Sequence, residues 1–180
     1  MAQLTLRFPE PGDGEPILEA VRETLPELCR WMTWCHPGYS EADALRWISS
    51  QAQARESGSA FEFLIVGGSG RLLGVCGINA INHENRFANL GYWIRTSETG
   101  HGAAVQAVKL LASWVFEHTN LQRLEIVTAV GNDASQRVAE KAGALREGTL
   151  RSRLCIHGTF HDAVMHSIIR PTQSPAEPRR

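Results

Sequence analysis

Apolar residues recur along this chain at two periods, near two and near three and a half, and the switches between them predict its strands and helices. Leu4-Thr5-Leu6-Arg7-Phe8 alternates like a half-buried strand and is stopped by Pro9-Glu10-Pro11-Gly12. Asp13 suits the N-cap of a helix to about Glu23, and Pro26 is expected to break it, leaving Glu27 to Trp34 as a short aromatic segment. Ser40, with Asp43 three residues on, opens a second helix to about Glu56. Its apolar face is Ala44, Leu45, Trp47, Ile48 and Ala52.

Phe61 to Val66 and Leu72 to Asn79 are β-rich runs joined by Gly67-Gly68-Ser69-Gly70, which reads as a hairpin. A strand from Phe87 to Ile94 leads through a glycine turn into a helix from Ala104 to about His118, with Val105, Val108, Leu111, Ala112 and Val115 inward. Leu124 to Ala129 is a strand and Asp133 to Ala142 a short helix closed by Gly143. Strands at about Leu150 to His157 and Ala163 to Ile169 flank His157-Gly158-Thr159. Residues 1–170 are expected to form one domain. Residues 171–180 turn to Pro, Ser, Gln and Arg and are expected to be a flexible tail.

Composition narrows the function classes. With 180 residues, 43% hydrophobic and 21% charged, one self-sufficient core is expected. A net charge of -1 gives no global attraction for nucleic acid or an anionic membrane, and no stretch is long and apolar enough for a span. Cys29, Cys35, Cys76 and Cys155 form no C-x-x-C pair, and no secretory signal precedes them, so a reduced cytoplasmic location is expected. Cys155, His157, His161 and His166 are zinc-type ligands, but their spacing fits a hairpin poorly, and no metal is expected.

The turn Thr99-Gly100-His101-Gly102-Ala103-Ala104 carries the candidate chemistry. A helix start leaves backbone N–H groups unpaired at its positive dipole end, and small residues let a phosphate approach them closely. Two glycines after a strand also mark an ordinary tight turn, and the motif alone leaves both readings open. G-x-x-x-x-G-K-[ST] is missing, and Val105 stands where a dinucleotide fingerprint needs glycine.

Five blocks in order resemble the GNAT superfamily of N-acetyltransferases, and within it the RimJ and RimL type ribosomal-protein N-terminal acetyltransferases. They are Leu73-Gly74-Val75-Cys76-Gly77-Ile78-Asn79, Leu90-Gly91-Tyr92-Trp93-Ile94, Gly100-His101-Gly102-Ala103-Ala104, Asn132-Asp133-Ala134-Ser135 and Glu140-Lys141-Ala142-Gly143-Ala144. The resemblance implies a mixed α+β fold: a twisted, mostly antiparallel sheet of about seven strands, helices on both faces, and a splay between the strands flanking the cofactor loop. It also implies acetyl-CoA as co-substrate, an amine acceptor that is either a protein N-terminus or a small amine, and a possible homodimer. A module that binds acyl-CoA without turning it over is the alternative.

The family loop Q/R-x-x-G-x-G/A maps onto Thr99, Gly102 and Ala104, with Thr99 departing from the pattern. The resemblance places the backbone of Trp93, Ile94 and Arg95 on the pantetheine arm, Asn132 near that arm, and Ser135 near the sulfur as acid. Ser135 and Asn132 are equally suited to capping a helix. Where relatives often carry a basic glutamate this chain has Asn89, so a water oriented by Asn89 with Glu84 or His83 as proton sink is the expected substitute. Trp31, Trp34 and Tyr92 are the candidate acceptor-pocket residues.

Overall fold

The computed structural model describes residues 4–171, so the expected tail beyond Pro171 lies outside the described residues. Seven strands form one sheet: β1 (Thr5–Arg7), β2 (Phe61–Val66), β3 (Leu72–Asn82), β4 (Phe87–Ile94), β5 (Arg123–Ala129), β6 (Leu145–Ile156) and β7 (Thr159–Ile169). Their order is β1-β2-β3-β4-β5-β7-β6, and every pairing is antiparallel except β4 with β5. Five helices pack on this sheet: α1 (Gly14–Glu23), α2 (Leu25–Trp31), α3 (Glu41–Glu56), α4 (Ala103–His118) and α5 (Asp133–Lys141).

Strand alternation sorts the core into two layers. Phe61, Phe63 and Ile65 of β2, with Cys76 and Ile78 of β3 and Ala88 and Leu90 of β4, pack against Ala107, Val108, Leu111 and Val115 of α4. Leu64 and Val66, Val75 and Trp93 point to the other face, where Ile17, Ala20 and Val21 of α1, Leu28 of α2 and Ala44 and Ile48 of α3 cover them. Glu62 shares that second face by the same period of two.

Local chemistry explains the helix starts. Ser40 and Asp43 form the expected reciprocal capping box at α3. α1 ends at Glu23, before Pro26, as expected, but Pro26 also falls in the first turn of a new helix, α2, where its missing N–H costs nothing. Three strands also run longer than expected, β7 among them, since it starts at Thr159 rather than about Ala163. β3 continues to Asn82 through a register shift after Asn79, and β6 begins at Leu145 because its irregularities at Arg146–Gly148 and Leu150–Leu154 interrupt the alternation that would have revealed it. Among the described residues no helix is long and apolar enough to cross a membrane.

Candidate active site

The parallel pairing of β4 with β5 covers Phe87–Asn89 against Arg123–Glu125 and then stops. Beyond it the two strands separate. The Arg95 amide donates to the Leu73 carbonyl at 2.7 Å, so the odd-numbered residues of β4 bond to β3. Strict alternation therefore turns the N–H and C=O groups of Leu90, Tyr92 and Ile94 toward the splay. Such an unpaired edge is suited to an extended amide-bearing chain adding as a strand. The expected backbone contacts are corrected accordingly: Ile94 faces the splay, whereas Trp93 pairs with Val75 and Arg95 with Leu73.

Arg95 has a separate side-chain role, of which the sequence carries no sign. Its side chain is only 1% exposed, and its guanidinium reaches Glu19 at 3.0 Å, Glu23 at 2.7 Å and the Leu72 carbonyl at 2.7 Å. It ties α1 to the sheet and is far from a free cation. Hydrogen bonds from Ser97, together with Arg95, hold the Glu23 carboxyl down to about 2.

At the end of β4 the chain passes through one 3-10 turn, Thr96–Glu98, into the glycine turn. Gly100 and Gly102 have φ of +80° and +85°, a left-handed conformation that disfavours a Cβ. Gly102 is the N-cap of α4 and offers no side-chain cap. Among the described residues, no backbone or side-chain acceptor meets the amides from Gly100 to Val105. Open amides at the N-terminus of a 16-residue helix, with no Cβ on the two turn glycines, fit a pyrophosphate. Thr99, in place of the family's longer side chain, is exposed and folds back on the turn: its hydroxyl donates to the Thr96 carbonyl at 2.8 Å and braces it.

Across the splay stands the first turn of α5. Asn132 accepts from the Ser135 amide at 3.1 Å, the capping role open to it from the sequence. The Ser135 hydroxyl remains available. Tyr92 Oη donates to the Ser135 carbonyl at 2.8 Å and lies 3.0 Å from Ser135 Oγ, which makes a hydroxyl pair at the splay. Burial pushes the Tyr92 phenol up to about 12, with its bond to Ser135 acting the other way.

Two cavities meet at this edge. One of about 440 Å³ follows the splay between β4 and β5 and is lined by Trp31, Tyr92, Glu125, Thr128, Asn132 and Ser135 among others. His157 at the β6–β7 turn donates from Nε2 to the Cys29 carbonyl at 2.7 Å and so fastens that hairpin to α2 over this cavity. The other cavity, of about 490 Å³, lies under α1 and α3 and is lined by Trp34, Tyr39, Asp43, Trp47, Glu62 and Trp93 among others. Met32, Trp34, Asn79, Asn89, Gly91 and Tyr92 line both.

A polar chain crosses the floor of the second cavity. Asn89 Nδ2 donates to Asn79 Oδ1 at 3.0 Å, and Asn79 Nδ2 donates to Glu62 Oε1 at 3.3 Å. Burial pushes the Glu62 carboxyl up to about 7, opposed by the Asn79 bond.

A family model described as Acetyltransferase (GNAT) domain matches residues 3–145. The chain belongs to the GNAT acetyltransferase family. It is 31% identical over 175 residues to the putative ribosomal N-acetyltransferase YdaF of Bacillus subtilis, spanning 93% of this chain and 91% of that one. It is 26% identical over 159 residues to the ribosomal-protein-serine acetyltransferase of Escherichia coli, 88% of each chain. A RimL ribosomal L7/L12 α-N-protein acetyltransferase solved in complex with coenzyme A has the same fold, with a TM-score of 0.86 at 24% identity over 94% of this chain and 95% of that one. This GNAT protein is an acetyl-CoA-dependent N-acetyltransferase.

Within the GNAT frame the sequence-expected residues divide. The structure brings together Tyr92, Asn132, Ser135, Trp31, Trp34 and Asn89 around the two cavities. Glu84 and His83 are not among them: both are exposed in the β3–β4 turn and line neither cavity. Glu62 was missed, because in Phe61-Glu62-Phe63-Leu64 a glutamate at an alternating position reads as the solvent face of a strand. The signal that finds it is cross-strand: Gly77 stands opposite it on β3, and Gly91 opposite Gly77 on β4.

Proposed function

We propose that this enzyme acetylates the α-amino group of a protein N-terminus. The observation that carries this reading is the aromatic cavity, which offers five rings, Trp34, Tyr39, Trp47, Tyr92 and Trp93, and two carboxylates, Asp43 and Glu62. Asp43 is already committed to the Ser40 amide and hydroxyl and to Arg46, and these contacts hold its carboxyl below the ordinary range. Glu62, a carboxylate with no cationic partner among the described residues, suits a single ammonium, and rings suit the side chains that follow it. A polyamine would ask for several free carboxylates. Two relatives named for ribosomal proteins align over 93% and 88% of this chain, whereas the spermidine N(1)-acetyltransferase of Escherichia coli aligns over 56% of it.

Acetyl-CoA supplies the activated acetyl group, and the chain supplies position and protons. The amides from Gly100 to Val105 hold the pyrophosphate, and the free edge of Leu90, Tyr92 and Ile94 holds the amide-bearing arm. The Ser135–Tyr92 pair stands at the splay, where a hydroxyl proton can pass to the departing thiolate. Ser135→Ala is expected to lower kcat about tenfold to a hundredfold while CoA affinity stays within about twofold, since Tyr92 remains as a poorer donor. An unaltered kcat removes Ser135 from the mechanism.

The acceptor is tested by thiol release. Peptides with a free N-terminus are expected to release CoA thiol, and the same peptides blocked at the α-amine are expected to release none, even with an internal lysine. Turnover of spermidine or an aminoglycoside with none on any peptide overturns the assignment.

A further inference from the structure

Glu62, Gly77 and Gly91 form one row across β2, β3 and β4 on the face under α1 and α3. Neighbouring strands lie about 4.8 Å apart, so the row runs roughly 10 Å from Glu62 to the splayed edge of β4. The glutamate side chain lies over Gly77: a Cβ placed there would overlap Glu62 Oε2 and Cδ. Gly91 beyond it has nothing within 4 Å of the position its Cβ would take. The two glycines thus open a trough from the carboxylate to the edge where the thioester lies, and Asn79 fixes the carboxylate at its head.

We propose that Glu62 is the catalytic residue that takes the proton from the acceptor ammonium, reached along this glycine trough. The inference rests on the acceptor entering the aromatic cavity, whichever amine it carries. One N–H bond of the ammonium breaks and its proton goes to a Glu62 oxygen. The freed lone pair forms the bond to the acetyl carbon, the carbon–sulfur bond breaks with its electrons on sulfur, and a second N–H proton replaces the one that Ser135 gives to the thiolate. Glu62 then returns its proton to water at the cavity mouth.

The neighbours leave this role to Glu62. Asp43 is bound by Ser40 and Arg46, and the Tyr39 and Tyr92 phenols are pushed up to about 12 by burial. The Cys76 thiol on β3 is raised by burial and by Glu62 itself. Among the described residues lining the cavity, Ile17 and Val21 of α1 and Met32 just past α2 carry no charge. Asn79 and Asn89, linked in a row to the carboxylate, are positioning residues; they explain why Asn89 stands at the place where a base was looked for.

The test is the pH profile of kcat/KM for Glu62→Gln with whichever amine the wild type acetylates best. The wild type is expected to lose activity below pH about 7, as protonated Glu62 can accept nothing. In Glu62→Gln the rate at pH 7 is expected to fall about a hundredfold or more, with the remaining limb moved to the amine's own titration, near ~8 for an α-amine. CoA affinity, measured by calorimetry, is expected to stay within about twofold, and Glu62→Asp to recover part of the rate with a carboxylate-type limb. A Glu62→Gln rate within threefold of wild type, or an unchanged low-pH limb, overturns the proposal. Because the best amine is chosen first, an acceptor other than a peptide refutes the substrate assignment without touching this one.

Discussion

Gly102→Glu is expected to weaken CoA binding by about a hundredfold to a thousandfold, the largest effect of any single change at the cofactor loop. Three costs combine. The residue sits at φ +85°, where a side chain strains the backbone by about 1–2 kcal/mol. Its added carboxylate meets the same amides that receive the phosphate oxygens, each charge-assisted bond being worth about 1.5–3 kcal/mol. The new charge also repels the diphosphate directly. Even about 3–4 kcal/mol of these converts to the stated loss. Gly102→Ala separates the parts, since it carries the strain without the charge and is expected to cost about tenfold. Calorimetric titration of CoA into each variant checks both, and unchanged affinity in Gly102→Glu removes the loop from cofactor binding.

That loop was readable because its signal is local. A strand, two glycines and an amphipathic helix lie consecutively, and the structural demand they meet, positive φ at Gly100 and Gly102 before an uncapped helix, is written in the residues themselves. The cap formed by Asn132 on the Ser135 amide was readable for a similar reason, being an ordinary local helix start. Glu62 was not, because its meaning depends on register. Nothing in Phe61 to Val66 says that Gly77 will lie opposite it, or that Gly91 will continue the row to the splay. Pro26 shows the same limit at short range: the residue that ends one helix also starts the next, and a three-state pattern does not distinguish a break from a first turn.

The Arg95 side chain has a structural role that local sequence does not announce, and Arg95→Ala is expected to destabilise the protein by about 3 kcal/mol, the low end for breaking a buried ion pair. The side chain is 1% exposed and bridges Glu19, Glu23 and the Leu72 carbonyl, so alanine leaves a cavity, an unbonded carbonyl and two carboxylates facing one another. Glu23 keeps partial access to water, with its side chain 27% exposed, which limits the loss. For a chain of this length the thermal midpoint is expected to fall by about 6–12 °C. The pH dependence follows from Glu23, whose carboxyl is held at about 2 in the folded state. A depressed carboxyl contributes stability above its unfolded value, near ~4.3, that is lost as pH falls toward 2. Ser97 is the first cause of that depression and survives the substitution, so Arg95→Ala is expected to lose part of the acid sensitivity and keep the rest. Arg95→Lys retains a charge but not the Nε–H that meets Leu72, and is expected to fall between the two. Because the Arg95 carbonyl also receives the Glu98 amide at the entry to the loop, the substitution is expected to weaken CoA binding severalfold through loosening, far less than Gly102→Glu. Thermal melts at pH 7 and pH 3.5 check this account. A midpoint within 2 °C of wild type at both would show that the buried guanidinium holds nothing together.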